Sequence, residues 1–404
     1  MARSKLLVLL VVLGGCTDPT ADLPAPVLPD GTLDYTPALP DHFLTDTLAR
    51  FDNTPADNPT TDAGATLGRV LFYDRRLSAN GETSCASCHD PAVGFSDPRT
   101  RSLGFDGGET RRHSMQLINL RWYARAAMFW DERAATLEDQ VLVPVQDDVE
   151  MGLSLEELVA RVRAADYYGP LFTAAFGSNT VDETRIARAL AQFVRSIVSY
   201  QSRWDEGVGL VGGDIAQDFP NYTAEENRGK DIFFGQHDPN TRGLCGTCHL
   251  MGNPLAFVPG GGPGGPPGAP PGGAALDNTA VFFMVEPANN GLIDDTDDGY
   301  GEVTELAENL GEFKAPSLRN IALTAPYMHD GRFATLEEVV SYYDSGVQAH
   351  PNLDPALSAG PGGAPMRLNL TAADRVALVA FLRTLTDDTL ATDPRWADPF
   401  PASE

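Results

Sequence analysis

The sequence predicts a mostly α-helical protein with two domains of similar design and little β structure. Helix-start signals and helical stripes of apolar residues recur along the chain, whereas the apolar–polar alternation that is typical of strands is scarce. One short cysteine motif also occurs once in each half, each time behind a similar glycine-led segment. Together these observations favour two related helical units over a sheet-based fold.

Helix-start signals lie in both halves of the chain. Ser154 is followed three positions later by Glu157, which forms a capping box before LEELVARVRA. Segment 182–200 repeats apolar residues at helical spacing, so one face of this helix is predicted to lie in a core. Three further caps with an acid three positions on are Thr223 with Glu226, Thr335 with Glu338, and Thr371 with Asp374.

The domain boundaries follow from the repeat. GRVLFYD at 68–74 and GKDIFFG at 229–235 each place a glycine and apolar residues before a cysteine motif. We therefore predict a first domain over residues 59–210 and a second over residues 211–395. Within the second domain, the Gly/Pro-rich stretch 258–275 cannot pack a core and is predicted to be a surface insert.

The N-terminus carries a processing signal. Residues 1–16 begin with the basic MARSK and continue into an apolar run that is too short to span a membrane. The run ends as LGGC, which resembles a bacterial lipobox, so cleavage before Cys16 and lipidation of its sulfur are predicted. An ordinary signal peptide or a plain anchor is the alternative. Residues 17–58, rich in Pro, Asp and Thr, are predicted to be a flexible tether.

The net charge excludes one class of partner. A formal charge of −27 leaves nothing to neutralise a phosphate backbone, so no nucleic acid is expected to bind. The same charge fits a secreted or periplasmic protein with neutral or basic partners, and it serves solubility equally well. We expect a periplasmic protein that contacts the membrane only through its lipid anchor.

The four cysteines after Cys16 form two C-x-x-C-H motifs, the attachment signal of c-type haem. Two thiols bond to one porphyrin, and the following imidazole reaches the iron. A zinc site built from two C-x-x-C pairs has about 15–20 residues between the pairs, whereas residues 89–244 separate these two. We therefore predict two covalently bound haem c groups, one in each cytochrome-c-like domain. The attachment residues are Cys85, Cys88 and the iron ligand His89 in the first motif, and Cys245, Cys248 and the iron ligand His249 in the second.

The segment FWDERAATLEDQVLVPVQDDVEMG at 129–152 bears on whether the chain is a carrier or an enzyme. Its Trp130, Gln140, Pro144 and Glu150 occur in the order and at the offsets of the bacterial di-haem cytochrome c peroxidase and MauG family, which this chain resembles. A second signature of that family stands at 313–343. With both haem motifs, the resemblance covers residues 60–390.

The resemblance implies a role for each of these residues. Glu150 would move a proton between the oxygens of hydrogen peroxide, provided that burial raises its pKa. Gln140 would orient the peroxide, Trp130 would carry charge between the haems, and Pro144 would shape the pocket. Electrons would enter at the second haem from a small cytochrome c or copper protein, and family members are often homodimers.

Two departures from the peroxidase pattern bear on function. Peroxidases of this family hold a distal histidine on the first haem, which should fall at 101–112, where this chain has none. Their methionine ligand of the second haem is replaced here by Tyr343, fourteen residues after His329, as in MauG-type proteins. Tyr342 and Met328 are alternative ligands. His329 is expected to form a hydrogen bond near a haem propionate.

Other metal sites stay open. The resemblance implies calcium held partly by backbone oxygens of Thr324 and Pro326, but His113 replaces a family asparagine and is a poor calcium ligand. Distal haem ligation is the other use considered for His113. The acidic run DDTDDG at 294–299 lacks the ligand alternation of a calcium loop and is predicted to be a solvated turn.

Three functions fit these features. The first is a di-haem peroxidase that reduces hydrogen peroxide to water with electrons from a small periplasmic redox protein. The second is a MauG-like oxidase that modifies a partner protein by long-range electron transfer, which Tyr343 and the missing histidine favour. The third is a non-catalytic electron-transfer cytochrome, which would need no acid at Glu150.

Overall fold

The structure is a computed structural model that describes residues 19–21, 23–235, 245–249, 279–284, 286–294, 296–359 and 364–401. Within these ranges the chain is helical, with isolated β-bridges and no strand. The α-helices are, in chain order, α1 (Asp46–Phe51), α2 (Asp62–Tyr73), α3 (Leu137–Gln140), α4 (Val143–Gln146), α5 (Leu155–Ala164), α6 (Tyr168–Phe176), α7 (Glu183–Ser196), α8 (Arg203–Leu210), α9 (Ala224–Phe233), α10 (Cys245–His249), α11 (Tyr300–Thr304), α12 (Leu336–Ser341) and α13 (Ala372–Arg383). A π-helical turn, Tyr342–Gly346, continues α12.

The predicted helix starts are confirmed. Helices α5, α9, α12 and α13 each begin with a reciprocal capping box at the predicted residues. The apolar stripe predicted at 182–200 forms α7, and its Ile186, Leu190 and Phe193 are buried. Local sequence therefore decides where these helices begin and which face they bury.

Each half of the chain supplies most of one hydrophobic core. The first core also includes Ala280, Val281, Phe283, Leu390 and Trp396. In the first core α2 packs on α7, and in the second α9 packs on α13. The glycines of the two repeated segments permit this contact. A Cβ on Gly68 would lie 2.0 Å from the carbonyl oxygen of Ala189, and a Cβ on Gly229 would lie 1.9 Å from that of Ala377. The same helix–helix approach is thus built in each half.

A second pair of equivalent residues supports the repeat. Asn119 and Asn320 adopt positive φ values of 60° and 56°, which asparagine tolerates better than most residues. Each lies just before a short 3₁₀ turn. The side-chain oxygen of Asn119 accepts from the N–H of Ser199 at 3.0 Å, and that of Asn320 accepts from the N–H of Asp387 at 2.7 Å. Each asparagine ties its loop to the chain that follows the last long helix of its half.

The two halves exchange backbone hydrogen bonds at their contact. The N–H of His113 donates to the carbonyl oxygen of His329 at 2.8 Å, and the N–H of Lys314 donates to that of Trp130 at 2.8 Å. Trp130 and His329 therefore occupy loops that are held by the opposite half.

The segment predicted to be a flexible tether is packed in part. Tyr35, Phe43 and Leu48 are buried in the first core, and α1 lies within this segment. These side chains are buried against a core that other segments supply. The free energy gained by removing them from water orders the segment, although its Pro-rich composition predicts disorder. From Tyr35 to Phe51 the prediction of a tether is therefore corrected.

Two predictions fall outside the described residues. Cys16 and the insert 258–275 both lie there, so lipidation and the surface insert stay predictions. None of the helices that the structure describes is long and apolar enough to cross a membrane.

Candidate di-haem site

The first cysteine motif forms a 3₁₀ turn, Cys85–Ser87. Cys85 and Cys88 are free thiols, and burial raises their pKa values to about 12 and about 11. His89 Nδ1 lies 3.0 Å from the carbonyl oxygen of Phe95. This contact holds the imidazole and leaves Nε2 as the nitrogen that could bind an iron. Burial also lowers the pKa of His89, which favours the neutral ring that a metal needs.

Glu150 and Asp97 are acids whose charges act on this motif. The charge of Glu150 raises the pKa of both thiols of the motif. Burial raises the pKa of Glu150 itself to about 7, the charge of Asp147 adds to this, and Arg133 opposes it. The Glu150 N–H donates to Asp147 Oδ1 at 3.1 Å, which fixes the backbone. The requirement that burial raise the pKa of this carboxyl is met.

Gln140 and Pro144 lie on the short helices that lead to Glu150. Gln140 ends α3, and Pro144 lies in the first turn of α4. In the described part of the chain, no hydrogen bond joins the Gln140 side chain to Glu150. The structure places the three residues on one segment without linking them by hydrogen bonds.

Trp130 lies where the two halves meet. Its indole Nε1 donates to the carbonyl oxygen of His113 at 2.8 Å, and its ring centroid is 6.4 Å from that of His329. Trp130 also lines the cavity that contains the second cysteine motif. The indole is thus fixed by one half of the chain and contacts the site of the other.

The second motif lies in a cavity lined mostly by apolar side chains, which we call the second cavity. Cys245, Cys248 and His249 line it together with Tyr343. Burial raises the pKa of Cys245 to about 11 and lowers that of His249 to about 4, so the thiol and the imidazole are both neutral. Free thiols beside a neutral imidazole in an apolar cavity fit a covalently attached porphyrin.

The lining of the same cavity distinguishes between the candidate ligands of the second iron. Tyr343 and Met328 line it, and Tyr342 does not. Asn290 Nδ2 donates to the Tyr343 hydroxyl at 3.2 Å and contacts Met328 Sδ at 3.7 Å. Tyr342 instead donates to the carbonyl oxygen of Asn290 at 3.1 Å and is buried in a small core with Leu292. Burial raises the pKa of Tyr343 to about 12, so its phenol stays protonated unless a cation stabilises the anion.

Comparison with known proteins identifies the family. A sequence model described as di-haem cytochrome c peroxidase matches residues 62–209. The chain is 31% identical over 334 residues to the methylamine utilization protein MauG of Methylorubrum extorquens, across 82% of this chain and 80% of that protein. This chain belongs to the di-haem cytochrome c peroxidase and MauG family.

Peroxidases and solved structures of this family are similar to the chain as well. It is 30% identical over 324 residues to the cytochrome c551 peroxidase of Nitrosomonas europaea, across 80% of each. A solved MauG-like protein associated with microbial copper homeostasis is 34% identical, with a TM-score of 0.66 over 92% of this chain and 99% of that one. The di-haem peroxidase BthA of Burkholderia thailandensis, at 22% identity and a TM-score of 0.62, supports the fold alone.

Family membership implies two haem c groups. The residues present fit them, because all four motif cysteines are free and both motif histidines are partly buried, with pKa values lowered by desolvation. Membership also makes this chain an oxidoreductase.

The calcium prediction for this family member stays a prediction. His113 uses both ring nitrogens within the protein, since Nδ1 lies 3.0 Å from the carbonyl oxygen of Arg99 and Nε2 lies 3.2 Å from Ser96 Oγ. These contacts argue against His113 as a ligand of calcium or of the first haem. Thr324, Pro326 and His113 all line the second cavity.

Sequence reasoning missed two features near the site. Asn290 has no motif signal, and only the fold brings it to Tyr343. Asp297 belongs to the run predicted to be a solvated turn, but it is 6% exposed and pairs with Arg112 at 2.6 Å. The prediction for this residue is wrong because a distant buried arginine compensates its charge.

Proposed function

We propose that the chain is a di-haem peroxidase that reduces hydrogen peroxide with electrons from a small cytochrome c or copper protein. The observation that carries the proposal is Glu150, a partly buried carboxyl with a pKa of about 7 beside the first haem motif. A general acid–base group works best when its pKa lies near the working pH. An electron carrier would have no use for such a group.

The chain's own residues divide the work as follows. Haem iron bound through His89 would supply the redox chemistry and the place where peroxide binds. The Glu150 carboxylate accepts a proton from one peroxide oxygen and returns it to the departing oxygen. Gln140 orients the peroxide with its neutral amide, and Pro144 shapes the pocket. Trp130 passes charge between the halves, which its position on the second cavity supports.

Tyr343 supports a second candidate, a MauG-like oxidase that acts on a partner protein. It lines the second cavity, and a tyrosinate stabilises ferric iron, whereas methionine raises the potential. MauG proteins are among the relatives of this chain, as is a MauG-like protein associated with copper homeostasis. A second haem of low potential would share oxidising equivalents with the first instead of waiting as a reduced donor.

The cellular setting belongs to the same proposal. We place the chain in the periplasm, held to the membrane by a lipid on Cys16, because the first sixteen residues resemble a lipoprotein signal. Covalent attachment of haem c also requires export. A homodimer and a calcium ion held by Thr324 and Pro326 follow from family resemblance.

The deciding experiment is Glu150→Gln in the haem-loaded protein. Peroxide-dependent oxidation of a reduced small cytochrome should fall about 10²–10⁴-fold, since proton transfer contributes this much to catalysis. Asp148→Asn is the matched control, because Asp148 is an exposed acid two residues away, and it should keep its rate. Turnover that is unchanged in Glu150→Gln would exclude Glu150 as the proton-transfer group, whereas a parent chain without peroxide turnover would leave the electron carrier as the function.

The ligand of the second iron is tested with Tyr343→Phe and its neighbour. Electron paramagnetic resonance of the ferric protein should show that Tyr343→Phe alters the low-spin signal, and a redox titration should show a raised potential of the second haem. Tyr342→Phe is the control and should leave both unchanged, because Tyr342 does not line the cavity. An altered signal in Tyr342→Phe alone would reverse the assignment.

A further inference from the structure

We propose that Asp294, His329 and Asp330 form a binding site for one divalent transition-metal ion, distinct from both haem irons. The candidate ligand atoms of the three side chains all lie within 4.8 Å of one another. His329 Nε2 is 4.0 Å from Asp294 Oδ2. Nitrogen and oxygen ligands bind such ions at about 2.0–2.2 Å, so small side-chain movements would let one ion contact all three. The proposal does not depend on peroxidase activity.

The histidine supplies the independent observation. The His329 side chain is 4% exposed, and within the described residues its buried Nε2 has no hydrogen-bond partner. A buried polar atom without a partner costs about 1–3 kcal/mol. The ring is fixed by stacking on Phe313, with centroids 3.7 Å apart and planes at 7°. A partner that is not part of this chain is therefore expected at Nε2.

The position of Nε2 favours an ion over a haem propionate. His329 lines the second cavity as a residue, but Asp294, which Nε2 approaches, is not among the residues that line it. Burial lowers the pKa of His329, which favours the neutral imidazole. A neutral imidazole can offer a lone pair to a metal.

Both carboxylates are already held in place. Asp294 Oδ1 accepts from the N–H of Thr296 at 2.9 Å and from its hydroxyl at 2.6 Å, and Oδ2 is the oxygen nearest His329. Asp330 Oδ1 accepts from the N–H of Arg332 at 3.1 Å, and its other oxygen pairs with the Arg332 guanidinium. Such supporting contacts orient metal ligands and are typical of built sites.

The ligand set decides the class of ion. One imidazole nitrogen with two carboxylate oxygens suits Zn²⁺ and similar first-row ions, whereas Ca²⁺ prefers oxygen alone and Cu⁺ prefers sulfur. The local charge also favours a cation. Arg332 offsets one of the two carboxylates, and Arg112 is compensated by Asp131 and Asp297. A bound ion would tie the loop at Asp294 to the loop at His329 and Asp330.

The test uses the full-length haem-loaded protein after chelation and dialysis. Calorimetric titration with ZnCl₂ should show one ion bound per chain at this site, and any binding of CaCl₂ should be unaffected by Asp294→Asn, because calcium held by Thr324 and Pro326 is a separate site. Asp294→Asn should weaken Zn²⁺ binding at least about tenfold. Asp298→Asn removes an exposed acid of the same turn and should bind Zn²⁺ like the parent chain.

X-ray absorption at the zinc edge gives a readout that is independent of affinity. The spectrum should show a nitrogen and oxygen shell at about 2.0–2.2 Å that includes imidazole. His329→Gln should lose the imidazole signal, and its haem spectrum shows whether that variant is folded. Equal Zn²⁺ affinity in Asp294→Asn and Asp298→Asn, or Ca²⁺ binding that Asp294→Asn weakens, would overturn the proposal. So would Zn²⁺ binding that occurs only before haem is attached, because a propionate would then occupy Nε2.

Discussion

At the scale of single residues, Glu150 makes peroxide turnover depend on pH. Its carboxyl must be ionised to accept a proton, and burial raises its pKa to about 7. The value of kcat/KM for peroxide should therefore rise about tenfold per pH unit below about pH 7 and level off above it. Stopped-flow measurement on the parent chain and on Asp148→Asn should give the same profile. A flat profile between about pH 5 and pH 8 would contradict the assignment of Glu150.

The same carboxyl has the opposite effect on stability. Because its pKa is higher in the folded state than in the unfolded chain, the protonated form favours folding. Stability is therefore lost as pH rises through about 7, by at most about 3 kcal/mol for a change of this size. Glu150→Gln should remove this loss. The unfolding free energy of the variant minus that of the parent chain should therefore increase between about pH 5 and pH 8. Denaturant unfolding at the two pH values would measure it.

At the scale of helices, two glycines control how close the paired helices come. Gly229→Ala would place a methyl group 1.9 Å from the carbonyl oxygen of Ala377, so α9 would have to move away from α13. We expect the free energy of unfolding to fall by about 1–3 kcal/mol, the range measured for overpacked cores. Gly68→Ala should have a similar effect on α2 and α7. Gly209→Ala in α8 meets nothing within 4 Å and is the control, expected to be neutral or slightly stabilising. Equal unfolding midpoints for Gly229→Ala and Gly209→Ala would refute this packing.

The helices also show which structural features can be predicted from residues that are close in sequence. The capping boxes and the stripe of α7 could be predicted because each depends on residues within one or two turns of helix. The cysteine motifs could be predicted for the same reason. The contact of Asn290 with Tyr343 could not, because the two residues are far apart in the chain and neither belongs to a motif that implies the other. Burial of Tyr35 in the predicted tether likewise depends on a core that other segments supply.

At the scale of the whole molecule, one buried ion pair joins the two cores. Arg319 Nη1 and Nη2 donate to the two carboxylate oxygens of Asp205 at 2.9 and 2.7 Å. The guanidinium lies 5.7 Å from the ring of Phe43, in the first core, and 5.6 Å from that of Phe282, in the second. His42, in the segment before α1, contacts the same carboxylate at 2.7 Å. Neither core is therefore independent of this cluster.

Asp205→Asn should consequently destabilise the whole molecule. Arg319 is fully buried, and loss of its partner charge should cost about 3–5 kcal/mol, because a buried charge would be left unpaired. Glu206→Gln removes an exposed acid from the same helix and should change stability by less than about 0.5 kcal/mol. Guanidinium unfolding followed by both haem absorbance and circular dichroism would measure the loss. If the cluster joins the cores, the whole unfolding transition should shift in Asp205→Asn by both signals, whereas a biphasic transition of which one phase shifts would mean that the pair serves a single half.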